Sequence, residues 1–162
     1  MDGFIFDEIG DLEKDILKMA VIERHKCTGH IGLGFLTGYG LKEGAVATSV
    51  AHDSHNIICV GTNDADMAFA ANRIAENHGG IVVVKDGQVI AELQLEIAGL
   101  MTNQNLVTVN EQLEDAKEAA YTLGISQNID PFMTLSFMSL PVIPTLRLTT
   151  RGVVDVFTQQ YV

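Results

Sequence analysis

Apolar and polar positions alternate between Leu17 and Arg24, with Leu17, Met19 and Val21 on one face and Lys18, Ile22 and Arg24 on the other. A period of two is strand spacing, because successive side chains leave opposite faces of a pleated backbone. The next run, Thr28-Gly29-His30-Ile31-Gly32-Leu33-Gly34-Phe35, is too rich in glycine for a helix. It fits extended chain with close backbone approaches or bulges. Ala45 to Val50 and Ile57 to Val60 are short apolar runs and read as buried strands. The polar run His52-Asp53-Ser54-His55-Asn56 lies between them.

From Asn63 the period changes. Asn63 is a good helix N-cap, and Asp64 and Asp66 suit the positive end of the helix dipole. Met67, Ala70, Ala71 and Ile74 repeat at helical spacing up to Asn77, and Gly79-Gly80 predicts the stop. Ile81 to Val84 is β-branched, and Asp86-Gly87 is a strong two-residue hairpin signal. The return strand places Val89, Ala91, Leu93 and Leu95 inward, with Ile90, Glu92, Gln94 and Glu96 outward. A second helix is predicted from about Val109 to Leu123, with the stripe Val109, Leu113, Ala116, Ala120 and Leu123, closed by Gly124. Asp130 to Pro144 reads as loop with a short extended or helical piece. Leu146 to Phe157 reads as a turn plus a terminal strand. The order predicts an α/β or α+β fold, a single layered domain with a mixed, substantially antiparallel sheet and at least two helices.

The 162 residues suit one domain, and 47% apolar with 19% charged residues is an ordinary globular balance. Such a chain buries roughly two thirds of its unfolded surface and needs no staples. Ten basic against 21 acidic residues give a net charge of −11. That excludes a phosphate-binding basic patch of the kind nucleic acid requires. Cys27 and Cys59 are too few for a disulfide framework and are expected to be reduced. The stretch from Met1 to Asp15 is acidic where a signal peptide would be basic, and no apolar run reaches membrane-spanning length. The cytoplasm is the expected location, with no membrane partner.

The run around His52 gathers two imidazoles, a carboxylate, a hydroxyl and a carboxamide. His can move protons near neutral pH with Asp to orient it, and Ser can be a nucleophile beside a base. The spacing leaves two readings open. His52 and His55 would face opposite sides of a regular strand and converge only in a turn or a helix opening. The same five residues also suit a polar turn bonded to its own backbone. His25, Cys27 and His30 could form a metal cluster on paper, but His52 and His55 lack a clear third ligand, and no metal is expected on this chain. The cytidine-type zinc signature, a His-x-His pair, a phosphate loop and a dinucleotide fingerprint are all missing from the sequence. Pro131 to Met138, apolar with interleaved hydroxyls, reads as core or as a pocket lining or docking face.

A series of landmarks runs along nearly the whole chain, from about Met19 to Asp155. It comprises Val21-Ile22-Glu23-Arg24-His25, Thr28-Gly29, Gly32-Leu33-Gly34-Phe35, Gly38, Gly40-Leu41-Lys42 and Gly44-Ala45. It continues with Ser49 to Asn56, Val60 to Asp64, Gly79-Gly80, Asp86-Gly87, Ile97 to Met101, Asp130 to Phe137, Leu140 to Pro144 and Thr150-Arg151-Gly152. This series resembles the carboxy-terminal domain of bacterial-type adenine deaminases in the amidohydrolase superfamily, over residues 1–162. The chain departs from the pattern at Met101-Thr102-Asn103, where Met-Ser-Asp is expected and an acid is lost.

The resemblance implies a parent enzyme that hydrolyses adenine to hypoxanthine and ammonia, a reaction of adenine catabolism and purine salvage. It implies manganese, iron or zinc held by a (β/α)₈ barrel, to which no residue here corresponds. The chain is therefore expected to be a detached piece, inactive alone and without catalytic residues of its own. Its expected partners are adenine, the barrel and, through an apolar face, a second copy. In the intact enzyme His52, Asp53, Ser54, His55 and Asn56 are expected to bind substrate at the barrel mouth. Two alternatives stand beside this: a structural oligomerisation module, and an autonomous hydrolase using Ser54 with His52 or His55.

Overall fold

The computed structural model describes residues 10–162. A short 3₁₀ turn over Leu12–Lys14 leads into β1 (Ile16–Ile22), followed by β2 (Ile31–Thr37), β3 (Ala45–Thr48) and β4 (Ile57–Gly61). Then come α1 (Asp64–Glu76), β5 (Gly80–Lys85), β6 (Gln88–Gln94), α2 (Leu106–Thr122) and α3 (Pro131–Met138). The small strands β7 (Leu146–Thr149), β8 (Gly152–Asp155) and β9 (Gln160–Tyr161) finish the chain. The main sheet has the order β2-β1-β4-β3-β5-β6, and β7-β8-β9 forms a second sheet. Every pairing in the six-stranded sheet is antiparallel, so of the two expected classes the fold is α+β.

Two apolar clusters explain the layering. Leu17, Met19, Val21, Val46, Ile58, Val60, Ile81 and Val83 face α2, α3 and the β7–β8 hairpin. Ala20, Ala45, Ala47, Ile57, Cys59, Val82 and Val84 face α1, which contributes Met67, Ala70 and Ile74. The central strands are thus buried on both faces, which is why they read as unbroken apolar runs.

Gly32 and Gly34 follow from the first of the two possibilities for the glycine-rich stretch, close backbone approach. The β1–β2 register is regular from Ile16↔Thr37 to Ile22↔Ile31, without a bulge. Instead the β7–β8 hairpin presses on β2: a Cβ on Gly32 would sit 1.8 Å from the Thr149 carbonyl oxygen. The bulge lies elsewhere. The β5–β6 register shifts between Val83 and Val84, so that Val83 pairs with Ala91 and Val84 with Val89. This skips Ile90 and turns Val89 toward the α1 face, while Ala91, Leu93 and Leu95 keep the α2 face. The alternation expected for this strand therefore breaks at its start.

The helices start where their caps stand. Asn63 Oδ1 accepts from Asp66 N at the head of α1. Asn105 caps α2, one turn earlier than the apolar stripe predicts. Asp130 accepts from Phe132 N and Met133 N and, with Pro131 in the first turn, makes the apolar stretch a helix. Met133 and Phe137 stay partly outside while Phe132 and Leu135 enter the core. The last third forms the expected turn as a hairpin, with β9 added.

Candidate functional site

The His52–Asn56 run is the connection between β3 and β4, and its backbone is fixed from four directions. Within the turn, His55 N donates to Ala51 O at 2.6 Å, and Ala51 N donates back to His55 Nδ1 at 3.2 Å. From α3, the Ser136 carbonyl oxygen accepts from His52 N at 3.0 Å. From the end of β1, Arg24 Nε donates to His55 O at 2.5 Å, and Asn56 Oδ1 accepts from Arg24 N at 3.4 Å. His25 Nε2 bonds the Ser54 carbonyl oxygen at 2.6 Å.

The side chains divide into two sets. Asn56 is buried and holds β1, whereas Asp53 and Ser54 are exposed at the crest of the turn. The His52 ring stacks on Phe137 at 5.2 Å between centroids and meets His55 edge-on at 5.8 Å. His55 uses Nδ1 as an acceptor, which places its ring proton on Nε2 when neutral. Burial, then the neighbouring His52, Arg24 and His25, pull its pKa below the ordinary value, against the opposing pull of Asp53. The bonds made by His55 Nδ1 and His25 Nε2 go to backbone atoms, and neither involves the Ser54 hydroxyl.

Arg24 extends the site to a second loop. Its Nη2 donates to Ala98 O at 2.6 Å, so one guanidinium ties the His52–Asn56 turn to the segment after β6. Gly99 makes the crossing possible: a Cβ there would lie 2.5 Å from Arg24 Nη2. Ser49, buried at the end of β3, holds the same segment through its Oγ, which donates to Gly99 O at 2.6 Å and accepts from Gly80 N at 2.8 Å. The loop carrying Thr102 and Asn103 is bonded to Glu96, whose Oε1 accepts from Asn103 N at 3.1 Å. Arg24, Ser49 and Ala98 escaped the sequence reading as site residues, whereas Phe137 lies in the Pro131–Met138 stretch read as core or as a pocket lining or docking face. The available signal was the charged triplet Glu23-Arg24-His25 directly after an apolar strand.

Glu23 organises the turn that carries His25. Its carboxylate accepts from the backbone N–H groups of His25 (2.6 Å), Lys26 (2.8 Å) and Thr28 (3.0 Å), and from the Thr28 hydroxyl (3.0 Å). These bonds, the Thr28 N–H first, pull its pKa from the usual 4.5 down to about 2. A carboxylate with a depressed folded pKa stabilises the fold above its unfolded value and loses that contribution as pH falls. Between pH 4.5 and about 2 the wild-type urea midpoint should therefore drop more steeply than that of Glu23→Gln. Parallel pH profiles for the two proteins would contradict this assignment.

No group of three or more His, Cys, Asp or Glu side chains able to hold a metal occurs among the described residues. The paper cluster of His25, Cys27 and His30 is not assembled. A cavity of about 650 Å³ lies behind Arg24 on the α1 side and includes none of the five residues of the His52–Asn56 run. Among the described residues the run is a pinned turn with Asp53 and Ser54 exposed.

Comparison with known proteins bears on the same landmarks. Residues 2–160 match the family described as the adenine deaminase C-terminal domain. The chain belongs to that family. It is 55% identical over 146 residues to an adenine deaminase of Brucella anthropi and 53% identical over 146 residues to adenine deaminase 2 of Carboxydothermus hydrogenoformans. An adenine deaminase of Bacillus licheniformis is 50% identical over the same length. Each alignment covers 90% of this chain and 26% of the relative, so the chain spans about a quarter of those enzymes. No helix among the described residues is long and apolar enough to cross a membrane.

Proposed function

We propose that this domain serves an adenine deaminase, a metal-dependent hydrolase that takes adenine and water to hypoxanthine and ammonia in the cytoplasm. Its part is to cap the catalytic barrel and shape the substrate pocket. The observation that carries the reading is the division within the His52–Asn56 turn. Its backbone is held by Arg24, Ser136 and its own reciprocal bonds, while Asp53 and Ser54 stay exposed. Fixed backbone with free polar groups is the arrangement that recognises a ligand without reorganising. Adenine presents ring nitrogens and an exocyclic amine. Asp53 can accept from the amine, and the Nε2–H of neutral His55 and the Ser54 hydroxyl can donate to ring nitrogens.

The metal, whether manganese, iron or zinc, would supply an activated hydroxide, and its ligands belong to the portion of the enzyme that this chain does not span. This chain's residues contribute binding and orientation only. By itself the chain should therefore release no ammonia from adenine, with or without added manganese or iron.

In a full-length adenine deaminase carrying this domain, Asp53→Ala and His55→Ala should each lower kcat/KM by about tenfold, the worth of one lost hydrogen bond to a charged or polar partner. Wild-type kcat and KM in both variants would overturn the reading and leave the turn a purely structural one. The exposed apolar residues Ile31, Leu33 and Phe35 favour, as a second reading, an oligomerisation role, which light scattering on this chain tests.

A further inference from the structure

The main sheet is covered unequally. On one face α2, α3 and the β7–β8 hairpin pack across it. On the other, α1 packs on β3, β4 and β5 and reaches Ala20 and Ile22 of β1, leaving β2 uncovered among the described residues. Ile31, Leu33 and Phe35 alternate along β2 toward this bare side and are 55%, 60% and 50% exposed. Two adjoining cavities, about 650 and 320 Å³, share Ile22, Ile31, Ala68 and Ala71 and form a groove between α1 and β2. Ala20 and Ile22 of β1 lie on its floor. Lys18 and Asp64 stand at one end, and Arg24 and Glu96 at the other.

The edge of β2 is equally unguarded. No described strand pairs with it on the side away from β1, and Ile31–Thr37 contains neither a charge nor a proline. The opposite edge is different: β6 carries Glu92 and a register shift. Edge strands left in solvent are normally blunted by charge, proline or a bulge. An apolar centre with a polar rim is the anatomy of an interface.

We propose that this groove seats the rest of the adenine deaminase polypeptide, so that Ile31, Leu33 and Phe35 form the centre of the interdomain contact. The inference rests on the proposed reading of the domain as part of that enzyme. Two observations select the occupant over a second copy of the chain. The matching stretch is only 26% of each relative, so most of that polypeptide is tethered beside the domain. Tethering sets an effective concentration on the order of millimolar, which a free second copy does not reach. The groove also ends on Arg24, which holds the His52–Asn56 turn. A body seated there reaches the proposed substrate turn.

The test is thiol labelling of Leu33→Cys, with Cys27 replaced by serine, in a full-length adenine deaminase carrying this domain and in this chain by itself. Leu33 is mostly exposed, so the substitution leaves the core intact. Maleimide should react at least tenfold more slowly at this position in the full-length enzyme. At Ile90→Cys, on the opposite edge, the two rates should match. A photo-crosslinker on the Leu33→Cys thiol should join two segments of one polypeptide. Equal rates at position 33 would overturn the proposal. So would protection that is already present in the isolated chain and fades on dilution, since that assigns the groove to a second copy. Labelling is independent of turnover, so its failure is distinct from wild-type kinetics in the Asp53 and His55 variants.

Discussion

Replacing Asp66 with alanine should destabilise the domain by about 2–4 kcal/mol, read as a shift of the urea midpoint without a change in slope. Asp66 is only 4% exposed although it sits in the first turn of α1. Its Oδ1 accepts from Gly87 N at 2.7 Å and its Oδ2 from Asp86 N at 3.3 Å. Oδ2 also accepts from Asn63 Nδ2 at 2.9 Å, while Asn63 Oδ1 takes the Asp66 N–H at 2.8 Å. One carboxylate therefore locks the helix cap and the β5–β6 turn together. That turn has positive φ at both Asp86 (52°) and Gly87 (69°), so its amides converge on the acceptor. Alanine would remove the shared acceptor of Gly87 N, Asp86 N and Asn63 Nδ2, and a hydrogen bond to a charged group contributes about 1.5–3 kcal/mol. Asp66→Asn keeps one oxygen but sets an amide N–H against a donor, and should lose about half as much. A loss under about 0.5 kcal/mol for alanine, the range of ordinary surface substitutions, would show that the turn closes without the clamp.

Asp66 also shows how far the sequence carried. Its place in a helix first turn was legible, because Asn63 and the 3.6-residue spacing fix the helix locally. Its true partner lies across the fold in a hairpin turn, and nothing local announces a contact of that kind. The same distinction runs through the molecule. Strands with clear alternation, such as Leu17 to Val21, and the Asp86-Gly87 turn were readable from neighbours in sequence. The exchange of faces at Val89 was not, because a bulge is set by the pairing of two strands. Asn105 and Asp130 begin helices that the apolar stripe alone places late or leaves unresolved; the caps were visible but stood outside the periodic stretch. At the site, the His52–Asn56 turn was conspicuous because its polar residues are contiguous. Arg24 was not, since its role depends on carbonyls at His55 and Ala98, far away in the chain. Residues that hold a site through backbone atoms leave little trace in the identity of what they touch.

Arg24→Leu in a full-length adenine deaminase carrying this domain should therefore cost more than either substitution at the crest of the turn. Leucine fills much of the same apolar volume but removes both fork bonds, to His55 O and Ala98 O. The turn and the segment after β6 then lose their shared anchor. A displacement of about 1 Å in a positioning element costs on the order of a hundredfold in rate, so kcat/KM should fall by about that factor. Lysine should not restore it, because an ammonium on a flexible stem does not reproduce the fixed geometry of a guanidinium. A second readout separates loss of position from loss of fold. Arg24 is one of the charges holding the His55 pKa down, alongside burial and His52. In the Arg24→Leu protein the His55 titration, followed by NMR of the ring, should move up toward the ordinary histidine value while the thermal transition stays cooperative. The sign is fixed by the chemistry: removing a nearby cation and opening the turn to water both favour the imidazolium. A variant that keeps kcat/KM within about threefold of wild type would show that turnover does not depend on the Arg24 anchor, and would remove the anchored turn from the substrate pocket.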